Sequence, residues 1–169
     1  LRPVYIKLLS KYNNYLMNKN AILKREDISE ERIKELCDIY SEELALICSE
    51  ISEIRQDYIN KLDHYVKTFF KDMTDGREVP TVTYDASHSL GEGASKEEIR
   101  QKYLDLYTSS REREIKYGST LYGIHKDDLK IDINGKDGRF YASQGQQRSL
   151  ALAMKMAEGE ISREATGEY

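Results

Sequence analysis

Leu1, Tyr5, Leu8, Tyr12, Tyr15 and Ile22 recur at alternating spacings of four and three, with Lys19 in the one slot of the series that is not apolar. That period predicts a helix from Leu1 to about Arg25 whose seam packs on a partner. Asp27 and Glu30 form a capping-box pattern before a second helix, with Ser29 as a rival N-cap. From there Ile33, Leu36, Tyr40, Leu44, Ile47, Ile51, Ile54, Tyr58, Leu62, Tyr65 and Phe69 keep one apolar stripe to about Thr74. A helix of that length reaches roughly 68 Å, long for one globular core, and reads as a coiled-coil-like arm. A short turn between two such helices makes them antiparallel neighbours. The plainer alternative is that both are faces of a globular bundle.

The pattern changes after Asp75-Gly76, and Val79-Pro80 cannot continue a helix. Thr81 to Asp85 alternates and is β-branched, which predicts a strand. Ser87 to Ala94 reads as a loop. Ser95-x-x-Glu98 is a capping box for a helix reaching about Tyr117, where Gly118 stops it. Leu129 to Ile133 is an alternating strand, Asn134-Gly135 signals a hairpin, and Arg139-Phe140-Tyr141 reads as the returning strand. Ser143-x-x-Gln146 is a further capping box, and Leu150, Ala151, Met154 and Ala157 make the apolar face of the helix it opens. The predicted fold class is therefore α+β, mainly α, with a helical-hairpin arm in residues 1–78 and a small α/β part in residues 79–169.

Charge supports the pairing of the first two helices. Residues 1–26 carry six bases against Glu26, a balance of +5, while residues 29–75 carry twelve acids and six bases, a balance of −6. Opposite charge favours their docking. Over the whole 169 residues the formal net charge is −4, which is not the footprint of a strongly basic nucleic-acid binder. No apolar run approaches membrane-spanning length, so a soluble, intracellular chain is expected. Leu1 is not a methionine, which suggests an excised piece of a longer protein. Cys37 and Cys48, eleven residues apart in one helix, would sit roughly 16 Å apart, too far for a disulfide. They read as small buried hydrophobes. His64, His88 and His125 are scattered, and no metal site is expected.

Candidate chemistry concentrates at Y-A-S-Q-G-Q-Q-R-S-L, Tyr141 to Leu150. A helix start exposes N–H groups without intrahelical partners, and its dipole favours an anion. Gly145 lets a ligand approach the backbone closely. Arg148 places a cation within the first turn, where it is unfavourable unless an anion arrives. An ordinary capped helix with exposed glutamines would show the same residues.

S-Q-G-Q-Q-R-S-L-A-L-A, together with G-I-H-K-D-D-L at Gly123 to Leu129, closely resembles the RecF family of bacterial DNA repair ATPases, which is related to the SMC and Rad50 proteins. Lys11 to Lys24 (K-Y-N-N-Y-L-M-N-K-N-A-I-L-K) looks like that family's first arm helix. The resemblance implies part of an ABC-type ATPase head that dimerises around ATP, each signature motif contacting the γ-phosphate held by the other protomer. Carried onto this chain, Ser143, Gln144, Gly145 and Gln146 would face that phosphate, and Arg148 is a weaker candidate at the dimer interface. It further implies ATP and Mg²⁺ in an intact homodimeric parent, none bound to this chain alone, and a bacterial cytoplasmic location. The implied partners are double-stranded DNA at single-strand gaps and RecO- and RecR-type mediators that help load RecA. The family's usual G-P-H-R-D-D appears here with Ile124 for Pro and Lys126 for Arg, and Lys126 keeps the charge without the planar fork. For His125 and Asp128 a turn and strand-entry hydrogen-bond network is weighed against a catalytic role.

The sequence holds no G-x-x-x-x-G-K-[ST], since Gly91-Glu92-Gly93-Ala94-Ser95-Lys96 does not fit, and no apolar strand ending in Asp-Glu. The expectation is that this chain alone hydrolyses no ATP. Two other readings compete: a non-enzymatic helical interaction module whose Gln-rich helix start merely caps, and another head of the SMC, Rad50 or RecN type. The short arm and single-glycine signature speak against the latter.

Overall fold

The computed structural model describes residues 3–91 and 93–167, so Leu1 of the predicted seam lies outside the described residues. Helix α1 spans Pro3–Leu23 and α2 spans Glu30–Thr74. Ser29, rather than Asp27, opens α2: its Oγ accepts from Arg32 N at 3.2 Å. Asp27 instead takes the Arg25 guanidinium, with Nε at 2.8 Å and Nη2 at 2.5 Å, which leaves it no part in the cap.

Contacts divide the chain into two compact units that interleave in sequence, residues 1–54 with 86–127 and residues 55–85 with 128–169. Each draws on both sides of position 78, and α2 runs through both.

In the first unit α1 and the N-terminal half of α2 lie antiparallel, with Tyr15 meeting Tyr40 and Leu23 sharing a cluster with Ile33 and Cys37. A third helix joins them. This is α3, Lys96–Tyr117, opened by the Ser95/Glu98 capping box and closed by Gly118 at φ 64°. Tyr12, Leu44, Ile47, Cys48, Ile51, Ile99, Tyr103 and Tyr107 form the shared core, so the pair expected as a hairpin arm belongs to a three-helix bundle. Apolar burial holds α1 to α2 more than charge does. Lys11–Glu43 at 3.3 Å, about half exposed on each side, bridges the two helices, and a pair of that kind contributes little. Cys37 and Cys48 are buried thiols that share no disulfide, and Cys48 Sγ lies 3.7 Å from Tyr107 Oη.

In the second unit the stripe of α2 shifts. Ile59, Leu62, Val66 and Phe70 are buried, whereas Tyr58, in the expected series, is 42% exposed. A straight helix drifts by roughly 20° per heptad, and this half of α2 packs in a different core. That core receives the antiparallel sheet β1-β2-β3, with β1 Pro80–Asp85, β2 Asp128–Ile133 and β3 Lys136–Asp137. Pro80 pairs with Ile133 and Asp85 with Asp128. The hairpin turn is the expected Asn134-Gly135, both at positive φ (50° and 74°), the geometry of a two-residue type I′ turn. The returning strand differs from expectation. It is only Lys136–Asp137, because Asp137 Oδ1 accepts from Arg139 N at 2.8 Å and caps a short helix, α4, over Gly138–Tyr141. Helix α5, Gln144–Thr166, follows, its buried face made by Leu150, Ala153 and Ala157 with Met154 half-buried. Ala151 is exposed, one position off the face assigned to it.

Candidate functional site

Ser143 is the N-cap of α5, at φ −64° and ψ 161°. Its Oγ accepts from Gln146 N at 3.2 Å, while Gln146 Oε1 accepts from Ser143 N at 2.8 Å, closing the capping box. Gln147 N donates to Ser143 O at 2.9 Å. The N–H groups of Gln144 and Gly145 are then the ones left without an intrahelical acceptor. Ser143, Gln144, Gly145, Gln147 and Arg148 are exposed, and Gln146 is half-buried. A Cβ built on Gly145 would meet only Ser143 Oγ, at 3.9 Å, so the backbone there is open to approach.

Gln146 differs from its neighbours, because both ends of its amide are used. Nε2 donates to Glu78 Oε1 at 2.6 Å, tying the helix start to the segment before β1. Sequence pattern could not find Glu78, which lies in an irregular stretch. The cap is compatible with a ligand all the same. A serine hydroxyl has two acceptor lone pairs and one donor hydrogen, and the box uses only acceptance at Oγ.

Beside the helix start lies a cleft of about 220 Å³ lined by Ile133, Asn134, Lys136, Tyr141, Ala142 and Gln146. Phe140 and Tyr141, just upstream of the cap, are 80% and 71% exposed. The sequence pattern predicts a strand there, and the early end of β3 at Asp137 leaves them out of the sheet.

The Gly123-to-Asp128 stretch is a turn and strand-entry network. Gly123, at φ 138°, precedes a single 3₁₀ turn over Ile124–Lys126. A Cβ there would collide with Tyr12 Oη and with His125 Nδ1, so glycine is required on both counts. Tyr12 Oη lies 2.5 Å from His125 Nδ1. Burial pushes the Tyr12 phenol well above its ordinary value, and burial with Lys126 nearby holds His125 below its own. Asp127 Oδ1 accepts from Ser87 N at 2.8 Å. Asp128 begins β2 opposite Asp85 and takes Arg139 Nη2 at 2.8 Å, which lowers its carboxyl below the usual range. These contacts position backbone. Among the described residues no group of acidic, His and Cys side chains could hold a metal ion, and no helix is long and apolar enough to cross a membrane.

No family model matches the chain. It is 34% identical over 167 residues to the DNA replication and repair protein RecF of Geobacillus kaustophilus (strain HTA426), covering 99% of this chain and 45% of the relative. Against RecF of Halothermothrix orenii (strain H 168) it is 38% identical over 170 residues, again covering 45% of the relative. Among solved structures, the recombination mediator protein RecF with ATP, of the RecFOR pathway, matches with a TM-score of 0.90 at 37% identity, over 97% of this chain and 43% of that one. The form with ATPrS matches with a TM-score of 0.89 at 36% identity. The chain thus spans about half the length of the curated relatives it matches, at 45%. With the mainly α fold and the S-Q-G-Q-Q-R helix start in place along that whole match, the chain belongs to the RecF family of DNA replication and repair proteins.

Proposed function

We propose that this chain supplies the trans-acting signature of a RecF-type DNA replication and repair ATPase. In this reading Ser143 O–H and the N–H groups of Gln144 and Gly145 receive the γ-phosphate of an ATP whose P-loop belongs to the other protomer. Gln146 holds the cap through Ser143 and Glu78, and Arg148 adds positive charge at the interface. The observation that carries the reading is the Ser143 cap itself: its Oγ accepts from Gln146 N and keeps a hydrogen free to donate, beside an open Gly145. The residues present therefore fit a phosphate, and the similar solved structures are named for ATP complexes. ATP with Mg²⁺ would close the dimer.

The wider role follows the family. RecF with ATP is named in the RecFOR pathway, which supports RecO- and RecR-type partners. Binding of duplex DNA at single-strand gaps, help in loading a recombinase and a cytoplasmic site of action belong to the same proposal and rest on the family resemblance. Residues 1–78 would serve as the arm and residues 79–169 as part of the head.

Two experiments test this. The purified chain alone should hydrolyse ATP only at background, since its sequence carries no P-loop; turnover removed by a Ser143 substitution would contradict it. In the full-length protein, Ser143→Phe should leave ATP binding near its normal value and abolish ATP-dependent dimerisation in sedimentation. Losing the cap costs only about 1 kcal/mol, too little to unfold the head, so an unchanged dimer fraction would overturn the reading.

A further inference from the structure

We propose that Tyr141 stacks on the base of the nucleotide whose triphosphate the α5 start receives, making the adjoining cleft a nucleobase subsite completed in trans. This rests on the trans-signature reading above. The cleft is lined by the apolar Ile133 and Ala142, the aromatic Tyr141 and the polar Asn134, Lys136 and Gln146. Its volume of about 220 Å³ suits one planar heterocycle rather than a whole nucleotide, since sites for drug-sized ligands begin near 300 Å³.

Its polar groups are biased toward donation. Asn134 Oδ1 is taken by Val79 N at 2.8 Å, so Nδ2 is the end left to donate. Lys136 is exposed and has donors only. An aromatic wall with donors at its edge matches a base, whose ring nitrogens accept. Gln146 is both the third residue of α5 and part of the cleft lining, so the cleft adjoins the phosphate-facing turn directly. Tyr141 gives 71% of its surface to solvent, and large exposed aromatics beside a polar rim mark binding sites. Exposure also means that replacing it removes little folded-state packing.

A base could come from a nucleotide or from single-stranded DNA. Contiguity with the capped helix start favours the nucleotide. The test is an ATP titration of dimerisation by the full-length protein. Base–aromatic stacking is worth about 10-fold in affinity or more. Tyr141→Ala should raise the half-maximal ATP concentration roughly 10-fold. Tyr141→Phe should restore it, and Tyr141→Leu, which keeps bulk without a π-face, should not. Replacing ATP by CTP should weaken dimerisation of the unaltered protein and make less difference in Tyr141→Ala.

An unchanged midpoint in Tyr141→Ala, with Ser143→Phe still blocking the dimer, overturns the subsite and leaves the signature reading standing. Full rescue by Leu also overturns it, as does a Tyr141→Ala effect confined to single-stranded DNA affinity. A dimer insensitive to Ser143→Phe fails the underlying reading instead.

Discussion

Lys19→Met should destabilise the chain by about 3–5 kcal/mol, the range for removing one partner of a buried ion pair. Lys19 and Glu114 are 1% and 2% exposed at the side chain, with Nζ 2.8 Å from Oε2. The ammonium also sits 4.2 Å from the centroid of the Tyr107 ring. Without Lys19 the carboxylate would remain buried, with Leu121 N donating to it at 2.9 Å but no cation beside it. The same residue organises the exit of α3, where Gly118 N and Ser119 N donate to the Glu114 carbonyl. Nearby, Asn20 Oδ1 accepts from Thr120 N at 2.7 Å and from Thr120 Oγ1 at 2.8 Å. Lys19 and Asn20 thus anchor the segment that leads into Gly123 and His125.

The double variant Lys19→Met, Glu114→Leu should lose much less than Lys19→Met alone, because replacing both charges removes the uncompensated one. Urea denaturation of the four members of the cycle measures this. Lys11→Met is the control, since its pair with Glu43 is exposed and should be worth under about 1 kcal/mol. A Lys19→Met loss no larger than the control would contradict the account. Domains are commonly stable by only about 5–15 kcal/mol, so the predicted loss is a large share of the total.

How much of this was legible in the sequence depends on how local each signal is. The caps at Ser95 and Ser143 and the Asn134-Gly135 turn are short-range chemistry, and each appears where its residues place it. Lys19 was visible as the polar member of an apolar seam, but its partner sits on α3, and nothing in a periodicity links the two. The stripe of α2 held through Ile51 and then moved to Ile59, Leu62, Val66 and Phe70, because one continuous helix serves two cores and a periodicity read from one end carries its phase too far. Arg139-Phe140-Tyr141 reads as a strand by propensity. The Asp137 cap turns it into a helical turn, and Arg139 is drawn to the acidic side chain and carbonyl of Asp128 and Leu129. At the candidate site, the residues of the motif were legible and its support was not, since Glu78 and the cleft residue Lys136 come from irregular or very short elements.

The central claim is that the Ser143 motif completes an ATP site on another protomer rather than its own. A P-loop variant and Ser143→Phe, made separately in the full-length protein, should each be inactive alone, because every site either could build with a copy of itself lacks one half. Mixed together with ATP they can form heterodimers in which one site pairs the intact P-loop of one protomer with the intact Ser143 of the other. Since neither variant dimerises with itself, the dimers that form are mixed, and one of the two sites in each is whole. ATP hydrolysis should therefore appear in the mixture, at up to roughly half of the wild-type rate. A mixture as inactive as its two components would show that the signature acts in cis, and would contradict the account.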